Sequence, residues 1–172
     1  MADAKKLLVE GIDLGPMWVS AAVPEGESTH EQGDLCGTAT AGDTNRVFSV
    51  ASDLTNDNFE GAGRHEIARY KLGAAAAAAR AILDLLAKCK NLNQDFDGSA
   101  AVVNVTPVSA NVATFSLTFS SGAVNYGALA ITNTGDYLST SASFAADPKT
   151  AAELATNIDA AAKRKLAAAG VK

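Results

Sequence analysis

The clearest hydrophobic pattern lies at residues 112–120. Ala113, Phe115, Leu117 and Phe119 alternate with Thr114, Ser116 and Thr118, the period-two signature of a strand with one face covered. Ser121-Gly122 supplies a turn. Residues 124–132 read as the next strand, Gly127 marking a bulge or close approach. A turn at Asn133-Thr134-Gly135-Asp136 leads to a third strand at 137–144, and a short Val-rich run at 101–106 precedes the set. Apolar spacing of three and four predicts a long helix over 64–90: Ile67, Tyr70, Ala74, Ala78, Ala81, Leu85 and Cys89 fall on one stripe, and 74–79 is an unbroken Ala run. A second helix closes the chain. Asp147 suits its N-cap, Pro148 its first position, and Leu154, Ile158, Ala161 and Leu166 its buried stripe.

The first 63 residues look different. Short strand candidates at 7–9, 17–23 and 46–51 are separated by polar, Gly-containing stretches. Long loops of this kind are uncommon inside compact domains, so 1–63 reads as an extended arm or a set of loops, and 64–172 as the folded part of one domain. The expected class is α+β: an antiparallel sheet or sandwich, one long Ala-rich helix, a C-terminal helix and an extended N-terminal arm.

Composition changes this picture in one respect. Of 172 residues, 36 are Ala, so large apolar side chains are scarcer than the 48% hydrophobic content suggests and the core is expected to be shallow. No apolar run reaches membrane-spanning length, and no basic-then-apolar leader opens the sequence. A net charge of −5 argues against binding nucleic acid through phosphate neutralisation. Residues 98–135 carry no charged side chain, although 19% of the chain is charged. A solvated antiparallel sheet usually guards its outer face with Lys or Glu. This stretch therefore reads either as a Ser/Thr face in water or as a surface covered by neighbouring subunits.

Candidate chemistry is sparse. His65-Glu66 starts a zinc-protease motif, but Arg69 stands where the second His is needed. Gly61-Ala62-Gly63 lacks the rest of a phosphate loop. Asp95-Phe96-Asp97-Gly98 lacks the closing Glu of a calcium loop. No catalytic, metal or cofactor set emerges, and the chain reads as non-enzymatic. Cys36 and Cys89, the only thiols, are either free or a covalent clasp. Trp18, Phe48, Phe115, Phe119, Tyr126 and Tyr137 are the expected core or interface anchors.

The uncharged strands leading into the helix Thr150-Ala151-Ala152-Glu153-Leu154-Ala155-Thr156-Asn157-Ile158 resemble the strand-then-helix modules of structural proteins in tailed bacteriophages. That resemblance implies a virion subunit, assembled in the host cytoplasm, that associates with its own copies and with other virion proteins. A capsid-associated or decoration role fits best, and a tail-tube or tail-associated role is the neighbouring alternative. From the residues alone, a surface adhesin or carbohydrate-binding module also fits, with Tyr126 or Tyr137 stacking on sugar. A small hydrolase acting through His65 or Cys89 is the remaining reading.

Overall fold

The computed structural model describes residues 2–23, 36, 43–56, 61–96 and 98–172. Eight strands form the framework: β1 (Trp18–Ala22), β2 (Arg46–Asn56), β3 (Gly61–Tyr70), β4 (Leu92–Phe96), β5 (Ser99–Pro107), β6 (Val112–Phe119), β7 (Val124–Thr134) and β8 (Tyr137–Ala145). They build one open sheet in the order β1-β2-β3-β8-β7-β6-β5-β4, with every neighbouring pair antiparallel. The class is α+β. The alternative of a sandwich does not hold, because helices rather than a second sheet cover the faces.

The helices are α1 (Ala2–Lys5), α2 (Gly11–Leu14), α3 (Ala75–Lys88) and α4 (Pro148–Ala168). α3 lies over β5, β7 and β8 on one face. Its Ala78, Ile82 and Leu86 are buried with Val103, Phe115, Leu117 and Ile131. α4 lies across β3, β6, β7 and β8 on the other face, with α1 and α2 beside it over the β1–β2 end. Its start follows from local chemistry: the Asp147 carboxylate accepts from the Lys149 and Thr150 amides at 2.9 Å, and Pro148 needs no such partner. These bonds hold the Asp147 carboxyl below the usual range, the Thr150 amide contributing most.

The abundance of Ala and Ser has an internal cause. Ala151 and Ala155 of α4 pack on Ala128 and Ala130 of β7, while Ser143 donates to the Ala151 carbonyl at 2.7 Å. Small side chains at this seam bring helix and sheet close together. Part of the charge-free segment is buried by this chain's own helices, Val103, Val105, Ala113, Phe115 and Leu117 under α3 and Ala128 and Ala130 under α4, while its turns around 106–110 and 120–125 are exposed.

Two expectations need correction. The helix over 64–90 is instead a strand, Gly61–Tyr70, followed by a helix, Ala75–Lys88. β3 is central, and His65, Glu66, Ile67 and Ala68 are all buried, so it shows no alternation. Its Ile67 and Tyr70, spaced by three, merge visually with the Ala run. Gly73 at φ 75° marks the real break. The second correction concerns the first 63 residues. The strand candidates at 17–23 and 46–51 are β1 and β2, paired into the sheet rather than carried on an extended arm. Residues 7–9, by contrast, are not a strand but buried chain, with Leu7, Leu8 and Val9 each at most 6% exposed. Residues 24–35, 37–42 and 57–60 of the expected loops lie outside the described residues. The edge strand β4 was not expected at all.

Candidate functional site

Val9 ties the N-terminal segment to the centre of the sheet. Its amide donates to His65 Nδ1 at 3.0 Å, and its carbonyl accepts from Ser52 Oγ at 2.8 Å. Because Nδ1 accepts, the His65 proton sits on Nε2, which faces Ser139 Oγ at 3.0 Å. His65 is fully buried. Burial lowers its pKa to about 3, the Lys165 charge adds to the effect, and Asp13 opposes it. The side chain proposed by one sequence reading as catalytic is therefore a structural latch with both ring nitrogens engaged.

This latch places α2 and the start of β1 beside α4. Gly11 makes the approach possible, since a Cβ there would collide with the Trp18 carbonyl. Lys165 of α4 reaches across to Asp13 at 3.0 Å and Glu10 at 3.2 Å. Between the two walls runs a groove of about 470 Å³, within the range of small-ligand sites. One wall is a stripe of α4: Thr150, Glu153, Asn157, Ala160 and Arg164. Fourteen residue-to-residue steps from Thr150 to Arg164, at 1.5 Å each, give it a length of about 21 Å. The other wall is Asp13, Leu14 and Trp18, with Asn56 and Gly61 at the ends of β2 and β3. Trp18, the single Trp of the chain, packs one side on the cluster of Leu54, Leu154 and Ile158 and lines the groove with the rest of its surface.

The charges of the groove are unequal. Asp13 shares Lys165 with Glu10, and Glu153 lies 3.8 Å from Lys149 at the exposed start of α4. Arg164 has no ion-pair partner among the described residues. No Ser, Cys or His among the described residues lines this groove. Two broader depressions, of about 750 and 600 Å³, meet at Asn111 and Lys163, the first running along α3 and the second along α4, and neither is lined by an aromatic side chain among the described residues.

The other residues singled out by sequence fall elsewhere. Phe115 is buried under α3, with Phe119 packed against the same cluster. Phe48 and Tyr137 pack around Leu7, Val50 and Ile67. Tyr126 is half-buried on the α4 face of β7, outside the groove. It shares a half-buried, uncharged face with Val102, Asn104, Thr114 and Ser116 of β5 and β6. Cys36 and Cys89 form a disulfide, Cα atoms 5.7 Å apart, at the end of α3. Asp95 accepts from the Gly98 amide at 2.6 Å, a local turn bond, while Asp97 lies outside the described residues. No cluster of metal-ligating side chains occurs among the described residues, and no helix is long and apolar enough to cross a membrane. The Trp18 groove escaped the sequence reading because its two walls come from opposite ends of the chain.

No family model and no curated protein matches this chain. Among solved structures, the extracellular domain of PknH from Mycobacterium tuberculosis aligns with a TM-score of 0.68 over 95% of this chain and 96% of that one, at 10% identity. CalU16 from Micromonospora echinospora aligns with a TM-score of 0.33 over 66% and 78%, at 13% identity. The first likeness is one of fold: this chain has the same architecture as that extracellular domain, end to end.

Proposed function

We propose that this chain is a non-catalytic recognition domain that works in an oxidising compartment and holds its ligand in the groove between Trp18 and α4. The observation that carries the proposal is the groove itself: one aromatic platform facing a polar helix stripe, on walls fixed by the His65 latch and the Lys165 ion pairs. Such a mixture of one flat apolar surface with a few converging polar groups suits specific binding of a small molecule or short chain. The Cys36–Cys89 disulfide supports the compartment, since structural disulfides persist mainly outside the reducing cytosol. The shared fold with a kinase extracellular domain is in keeping with that placement.

Trp18 reports on the test directly. The oxidised protein is titrated with a panel of soluble saccharides, amino acids and short peptides while Trp18 emission is followed, beside an Ala160→Phe variant that narrows the groove from a half-exposed helix position. The proposal expects at least one saturable change that the variant loses. It fails if no member of the panel binds, or if binding is the same in the variant.

A second reading, the self-assembling virion subunit, keeps one specific observation in its favour: the uncharged face of Val102, Asn104, Ser116 and Tyr126, which stays only half-buried. Solution mass decides it. Concentration-dependent oligomers lost in a Ser116→Arg variant favour the subunit, and a monomer with and without the substitution speaks against self-association.

A further inference from the structure

Resting on the groove as the recognition site, the geometry points to its ligand class: we propose an acidic oligosaccharide, a chain of sugars bearing ring carboxylates. Two independent features of the groove carry this. The first is charge. Lys165 is shared by Asp13 and Glu10 and Glu153 stands near Lys149, whereas Arg164 is the charged side chain of the groove lining with no ion pair among the described residues. A guanidinium presents a planar fork of donors that matches a carboxylate with two parallel bonds. The chain carries a net charge of −5, so long-range attraction does not favour an anion. The preference must come from this local contact.

The second feature is the non-charged lining. Trp18 offers a flat apolar face on which the C–H side of a pyranose ring can lie. Asn157 supplies an amide group of the kind that matches sugar hydroxyls, and the Thr150 hydroxyl, which donates to Asp147 at 2.7 Å, can still accept. An apolar peptide would want pockets for its side chains, whereas this groove is a long polar trough. Position along the helix then sets the ligand's length. Trp18 packs on the cluster around Leu154 and Ile158. Arg164 stands six to ten residues further along, about 9–15 Å of axial rise. Stacking and ion pairing therefore engage different sugar units, which requires an oligomer rather than a monosaccharide.

The test compares trigalacturonic acid, maltotriose and hexaglutamate by titration of Trp18 emission in the oxidised full chain. Circular dichroism checks that each variant is folded. Trigalacturonic acid is expected to bind more tightly than maltotriose and to weaken with salt. Arg164→Gln, at an exposed position, is expected to weaken it about 10- to 100-fold while leaving maltotriose unchanged. Equal binding of both saccharides, with Arg164→Gln neutral, overturns the acidic class and leaves the groove reading intact. Binding of hexaglutamate in preference to either saccharide makes the ligand an acidic peptide and overturns the saccharide class. Saccharide binding that persists in Ala160→Phe overturns the groove reading as well.

Discussion

The Val9 amide donates to His65 Nδ1 across 3.0 Å, although the residues stand 56 apart in the chain. The bond works only with a neutral ring, since a protonated Nδ1 would face the Val9 N–H donor to donor. The folded pKa of about 3 lies below the ordinary 6.5, burial being the chief cause. The unfolded chain therefore takes up the His65 proton first. Stability from this group is intact above pH 6.5 and is lost as the pH falls toward 3, by up to about 1.4 kcal/mol per pH unit. Denaturant unfolding at a series of pH values should show a shallower loss below pH 6.5 in His65→Gln than in the natural chain. Parallel curves would mean that His65 does not carry the dependence.

Phe115 and Gly127 are cross-strand partners on β6 and β7. The Phe115 ring lies over Gly127 and meets Phe144 edge-on, with centroids 5.4 Å apart. A Cβ on Gly127 would collide with that ring. Gly127→Ala is expected to cost about 1–3 kcal/mol, and Phe115→Ala about 3–5 kcal/mol. The more telling measurement is the coupling. Gly127→Ala should cost clearly less in a Phe115→Leu background, and an equal cost in both backgrounds would place the strain elsewhere.

The disulfide joins residues separated by 53 positions, a loop whose closure restricts the unfolded chain. Reduction, or Cys89→Ser, is expected to lower stability by about 2–4 kcal/mol. Thermal unfolding with and without reductant reads this as a lower Tm. Alkylation of the untreated protein should label neither thiol among molecules purified under oxidising conditions; two labelled thiols and a Tm indifferent to reductant would remove the bond from the account.

Much of the fold is legible in the sequence where the causes are local. The Asp147 cap, Pro148 and the Leu154–Ile158 stripe define α4 without tertiary information, and alternation through Ala113, Phe115 and Leu117 defines β6. β3 is hidden because burial on both faces erases its period, so Ile67 and Tyr70 borrow the helical spacing of the Ala run behind them. β4 is hidden because Asn93, Gln94 and Asp95 are poor strand formers placed at a sheet edge by their neighbours. Absence of charge from 98 to 135 is legible too, but its cause is divided. Helices α3 and α4 bury many of its apolar positions, its turns are exposed, and the face around Asn104 and Ser116 is half-buried. The groove is the least legible part: Trp18 is conspicuous, yet Thr150, Asn157 and Arg164 look like the ordinary wet side of a helix until α2 is laid beside them.

Closing the groove tests the central claim most directly. Ala160 is half-exposed and lines only the groove among the cavities described, so Ala160→Phe should fill space without disturbing the core. Calorimetric titration of trigalacturonic acid into the oxidised natural chain and this variant, matched in Tm, is predicted to give heat of binding in the first and none in the second. Equal heats from both proteins would contradict the assignment of recognition to this site.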